Sequence, residues 1–174
     1  MLTLKIAFNW KLFLNHPKTL FDSNLQKIKK PTFFSPFYSN KITEIKKAPK
    51  IYFLDLGLRN ALISDFRLPD LRFEKGAMVE NFVFQNFYYR KELASIYFWR
   101  TKMGAEVDFI LDYQGETFPF EVKYQDFEKE KLSRSFLSFL NTYQPKRGVV
   151  LTKNYFGEKR FHQTAILFLP VYFI

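Results

Sequence analysis

A β-favouring run at Thr117–Tyr124 leads into a helix-patterned stretch, Phe127–Leu140, and then into the continuous apolar run Gly148–Thr152 (GVVLT). Two strands of one sheet joined through a helix run parallel, because the crossover returns the chain to the end it started from. Upstream, Ile96–Trp99 and Val107–Leu111 are also β-favouring runs, and Gln114–Gly115 forms a turn between the second and Thr117–Tyr124. These three runs read as an antiparallel meander. Before them, Lys75 to about Leu93 is the longest helical candidate, with Val79, Phe82, Val83 and Phe87 expected on one apolar face. Ala165–Leu169 is expected as a last strand. The expected fold class is therefore α/β: a mixed sheet flanked by helices, in the order helix, three-strand meander, helix, strand.

The first fifty residues read as irregular, interrupted by Pro17, Pro31, Pro36 and Pro49. Ile51–Leu54 is a short β-favouring run, and Asp55 stands where an N-cap should, ahead of a short helix LGLRNALISDF. The expected division is a basic N-terminal extension or remnant at 1–50 and an α/β domain at 51–174. Apolar residues make up 47% of the chain and include 23 Phe, enough for a substantial core. With no cysteine there is neither a disulfide framework nor thiolate chemistry, which suits a reducing, cytoplasmic setting. No membrane partner is expected. Lys5, Asn9 and Lys11 interrupt the N-terminal apolar stretch, and the tail from Ala165 to Ile174 falls short of the roughly 20 residues of a helical span.

The net charge of +10 is unevenly placed. Residues 1–50 hold ten lysines against Asp22 and Glu44, a net of +8, whereas the rest of the chain carries only +2. A basic arm beside a nearly neutral body suits a phosphate backbone, so nucleic acid, DNA before RNA, is the expected partner. A solvated terminus with no partner is the plain alternative.

In an extended strand, residues two apart share a face. Glu121 and Lys123 are therefore expected to project together, with Val122 directed to the core. Glu106 and Asp108 are expected to do the same on the preceding strand, with Val107 inward. If these strands pair across Gln114–Gly115, carboxylates from both meet at one edge, which is what a hard cation such as Mg²⁺ (or Mn²⁺) needs. Asp108, Glu121 and Glu106 are the candidate metal ligands. Lys123 would act on the attacking water or the phosphate, and Glu80, on the long helix, would complete the shell. Three gathered acids repel one another without a counter-charge, and that is the physical argument for a metal. The ordinary reading of E-V-K is a solvated strand face with a weak ion pair.

GAEVDFIL (104–111), followed by a turn and PFEVK (119–123), resembles the PD-(D/E)XK nuclease motif. In that resemblance Asp108 is the first acid, Glu121 the second, Lys123 the lysine, and Glu80 the acid on the preceding helix. KAPKIYFLDLGLRNAL (47–62), KGAMVENFVFQ (75–85), FWRTKMGAEVDFIL (98–111), FEVKY (120–124) and RGVVLTK (147–153) together resemble an uncharacterised domain at the C-terminus of certain AAA+ ATPases of bacteria and archaea. The resemblance implies a restriction-endonuclease-like fold and an ATPase as a protein partner. No G-x-x-x-x-G-K-[ST] is present, so ATP hydrolysis by this chain is not expected.

His16 and His162 have no ligand-like neighbours at metal spacing, and Ser133, Ser135 and Ser138 lack a nucleophile-elbow context. Arg134, on the helix after E-V-K, is a candidate phosphate contact, and Phe33–Tyr38 among lysines is a candidate base-stacking segment. Two functions follow as expectations. The first is a Mg²⁺-dependent nuclease acting on DNA phosphodiesters. The second is a non-catalytic module that keeps the nuclease fold and binds nucleic acid or protein.

Overall fold

The computed structural model of the chain describes residues 32–34, 37, 50–90 and 94–174. Most of the basic arm, with His16 and residues 35, 36 and 38 of the aromatic segment Phe33–Tyr38, lies outside the described residues; Phe37 of that segment packs against Tyr97, Phe139 and Tyr143. Strand β1 (Thr32–Phe34) pairs antiparallel with β2 (Lys50–Tyr52) in a small two-stranded sheet, regular structure that the prolines around it did not suggest. Helix α1 (Leu56–Leu62) starts where expected: Asp55 is extended and its side chain accepts from the Leu58 amide.

Helix α2 (Lys75–Tyr89) is followed by β3 (Ser95–Arg100), β4 (Glu106–Tyr113) and β5 (Glu116–Lys123), then α3 (Arg134–Tyr143), β6 (Arg147–Thr152), β7 (Gly157–Phe161) and β8 (Thr164–Pro170). The main sheet has six strands in the order β3-β4-β5-β6-β8-β7. The meander is antiparallel, β5 and β6 run parallel from Phe120–Val149 to Lys123–Thr152, and β6 is also parallel to β8. The expected mixed α/β sheet is therefore present. Gln114 and Gly115 both take positive φ, 52° and 78°, the handedness that matches a two-residue hairpin to strand twist.

Each face of the sheet has its own core. From α2, Val79, Val83, Phe84 and Phe87 pack against Phe98, Phe109, Phe120 and Leu151. From α3, Phe136, Phe139 and Leu140 pack against Val107, Ile110, Val150 and Phe168 on the opposite face. Full burial of each such side chain stabilises by about 1.5–3 kcal/mol. The expected apolar face of α2 needs correcting at one place. Phe82 is 36% exposed, whereas Phe84 is buried. At about 100° per residue the buried stripe runs from Val79 round to Phe84, leaving Phe82 on the far side. Glu80 falls inside that stripe and so points at the sheet.

Two further differences have local causes. Helix α3 begins at Arg134, seven residues after the expected start, because Ser133 is extended and caps it, its Oγ accepting from the Phe136 amide at 3.0 Å. Strand β7 (GEKRF) was not expected: its charged side chains at Glu158, Lys159 and Arg160 are exposed, as suits an edge strand. Among the described residues no helix is long and apolar enough to cross a membrane.

Candidate functional site

The site begins at an irregularity in β4. Tyr97 pairs with Ile110 and Trp99 with Val107, so the two residues Asp108 and Phe109 lie opposite the single residue Phe98. The bulge sends Val107 to the α3 face and Phe109 to the α2 face. Asp108, between them, reaches β5 where the β4–β5 ladder ends at Phe109–Phe120: its Oδ2 accepts from the Val122 amide at 2.8 Å.

On the α2 side three acids converge on one cation, the ammonium of Lys50. Its Nζ lies 2.7 Å from Glu80 Oε1 and 3.6 Å from Asp108 Oδ1, and it contacts Glu106 Oε1 directly. Glu80 also accepts from the Tyr52 hydroxyl at 2.5 Å, and Glu106 from Arg100 Nε at 2.5 Å. Lys50 and Tyr52 are two apart on β2, so strand alternation aims both at Glu80. Asn81, 4% exposed, fixes that strand to α2. Its Oδ1 accepts from the Phe53 amide at 2.8 Å and its Nδ2 donates to the Phe53 carbonyl at 2.7 Å. A cleft of about 320 Å³ opens beside the cluster, lined among others by Lys50, Phe53, Arg59 and Glu106.

The ionisation of the cluster follows from burial and pairing. Burial works against the Lys50 charge, but Glu80 and Asp108 outweigh it and raise its pKa. Burial likewise works against ionised Glu106, yet hydrogen bonds from Arg100 and Lys50 bring its pKa below the usual carboxylate value. Asp108 goes the other way: burial first, and then the Glu80 charge, push it up to about 7 despite Lys50 and the Val122 amide. The Tyr52 phenol is raised by burial and by Glu80, and stays a donor.

Glu121 belongs to a second group. It alternates with Phe120 and Val122, which pack on the α2-side core, and stands in register with Val150 of the other core. It therefore leaves β5 toward α3, where it is 3% exposed. There it accepts from Ser133 Oγ at 2.6 Å and pairs with Lys123 Nζ at 3.1 Å. Ser133 thus caps α3 and orients Glu121 through one hydroxyl. Arg134, the next residue, is exposed.

Of the expected site residues, Glu80, Glu106 and Asp108 come together, and Glu121 and Lys123 come together. The two groups meet at the Val122 peptide, whose amide is bound by Asp108, and the Lys123 charge also acts on the Asp108 carboxyl. Lys50, Tyr52, Arg100, Asn81 and Ser133 were not anticipated. The signals for them were present: the i, i+2 spacing of Lys50 and Tyr52 at the head of a β run, and a serine three residues before the buried Phe136.

The divalent cation expected on Asp108, Glu121 and Glu106 does not fit the donor set as arranged. The centre of the three acids is taken by an ammonium, and the fourth acid is committed to Ser133 and Lys123 on the other side of β5. Among the described residues no group of three or more Asp, Glu, His or Cys side chains is disposed to hold a metal ion.

Residues 75–173 match the family described as Domain of unknown function (DUF4143). The chain belongs to this family. Over 129 residues, 73% of its length, it is 33% identical to an uncharacterized protein of Mycobacterium bovis and equally to one of Mycobacterium tuberculosis. The match spans 28% of the length of each relative. Lys50, Tyr52 and Asp55 lie before the DUF4143 match, whereas Glu80, Glu106, Asp108, Glu121 and Lys123 lie within it.

Proposed function

We propose that this domain is a nucleic-acid-recognition module that keeps a nuclease-like sheet and the acid-x-Lys motif without a working metal centre. The observation that carries the reading is the Lys50 ammonium seated among Glu80, Glu106 and Asp108. It supplies the counter-charge for which a metal would otherwise be needed, and it is attached to the chain. The +10 net charge supports a polyanionic partner bound mainly through phosphates. The family resemblance adds an AAA+-type ATPase domain as the protein partner, and the greater length of the mycobacterial relatives leaves room for one.

The test is calorimetric titration of Mg²⁺ and Mn²⁺ into the wild-type chain and Asp108→Ala, with plasmid nicking and salt-dependent duplex binding measured on both. The reading expects duplex binding that weakens steeply with salt, no nicking, and no metal uptake that depends on Asp108. Metal binding and nicking that both vanish in Asp108→Ala would refute it. That result would establish a second reading, a Mg²⁺-dependent phosphodiesterase with Asp108 and Glu121 on the metal, Glu80 and Glu106 in support, and Lys123 on the water or phosphate. What favours the second reading is Asp108 itself: burial and the Glu80 charge push its carboxyl up to about 7, and a further cation would favour its ionised form.

A further inference from the structure

Between α1 and α2 the chain presents large apolar side chains outward. Leu62 is 67% exposed, Phe66 70%, Leu68 71%, Leu71 64% and Phe73 103%. A flexible loop would explain this simply, but the segment is tightly built. Arg72, 4% exposed, donates from Nε to the Arg67 carbonyl at 2.8 Å, from Nη1 to Asn60 Oδ1 at 2.8 Å, and from Nη2 to the Asp65 carbonyl at 2.6 Å. Its guanidinium also lies within 3.8 Å of the Asp65 and Glu74 carboxylates. A buried arginine thus holds this loop in shape while its apolar groups face away from the core. Apolar surface concentrated in this way marks an interaction site.

The sequence holds a complementary segment. Leu2, Leu4, Ile6, Phe8, Trp10, Leu12 and Leu14 occupy every second position, and Thr3, Lys5, Ala7, Asn9, Lys11 and Phe13 fall between them. In an extended conformation that spacing gathers seven apolar side chains on one face and both lysines on the other. Such a face needs an apolar partner surface. Reach does not limit the choice. The 17 residues between Leu14 and Thr32 span up to roughly 58 Å, more than the roughly 37 Å across a compact domain of this size.

We propose that Leu2–Leu14 docks on the Leu62–Phe73 surface of the same chain, closing the apolar loop that Arg72 holds open. This does not depend on the reading of the acid cluster, which lies on other elements. It gives the N-terminal segment a packing role separate from any contact its lysines make with phosphate.

Trp10 is the reporter, because the only other tryptophan is the buried Trp99. In the full chain the Trp10 emission, taken as the difference between wild type and Trp10→Phe, is expected to be blue-shifted and shielded from acrylamide. In Leu68→Asp/Phe73→Asp it is expected to shift to the red and quench severalfold more readily, with an unchanged far-ultraviolet dichroism spectrum. Both substituted side chains are exposed, so the variant keeps its core. A solvent-like Trp10 emission in the wild type, or shielding untouched by the double variant, would overturn the proposal. Shielding that appears only with rising concentration, together with a doubled sedimentation mass, would also overturn it and assign the surface to a second copy.

Discussion

Replacing Asp108 with Asn separates the geometry of the acid cluster from its charge. The amide oxygen can still accept from the Val122 N–H, while the ionisation disappears. In the folded chain the Asp108 carboxyl is pushed from 3.8 to about 7, first by burial and then by Glu80. A carboxyl whose pKa rises on folding contributes stability that is complete below pH 3.8 and is lost as the pH climbs through about 7. At about 1.4 kcal/mol per pH unit, that shift sets a ceiling of about 4 kcal/mol. About two of those pH units lie between pH 5 and pH 8.5, so the wild type is expected to lose up to about 3 kcal/mol across that window relative to Asp108→Asn. Urea denaturation of both proteins at the two pH values gives the quantity directly. A difference that stays constant with pH, or one that turns against the variant in alkali, would refute the reasoning. Asp108 would then be ionised on Lys50 throughout.

Lys50→Met leaves Glu80 and Glu106 without their shared ammonium, and is expected to cost about 2–3 kcal/mol at pH 8, less than the penalty for breaking a fully buried ion pair because the three side chains are only partly buried. Adding Glu80→Gln should restore part of that loss, and purely additive denaturation energies would show that the two residues are not coupled. Ser133→Ala removes both the α3 cap and the hydroxyl donated to Glu121, with an expected loss of about 2–4 kcal/mol from the two effects together. Ser133→Thr should retain most of the stability by thermal melt, and an equal loss in both variants would argue against the hydroxyl as the cause.

Apart from β1 and β7, the order of elements was legible because the main ones left a pattern in the sequence: a helical period over 75–89, β-favouring runs within 106–123, and a continuous apolar run at 148–152. A parallel centre followed from the single helix between β5 and β6. The site was half legible. Alternation placed Glu121 beside Lys123 and Glu106 with Asp108, but it also assumed a regular ladder. The β4 bulge at Asp108–Phe109 is a property of pairing with β3, and no local pattern announces it. The division drawn at residue 50 separated Lys50 from the body by one position, because an isolated lysine at the end of a lysine-rich arm looks like one more solvated charge. Its partner Glu80 is thirty residues away, joined to it through the Asn81 clasp on Phe53, a contact of tertiary origin.

That clasp makes the edge of the family match a poor place to cut the chain. A fragment starting at Lys75 would keep Glu80, Glu106 and Asp108 and discard the lysine and the tyrosine that face them. It would behave as an acid-loving fold, firmest where its carboxyls are protonated and loosening toward neutrality. Supplying the strand from Lys50 to Leu54 as a separate peptide would be the natural way to make it whole again.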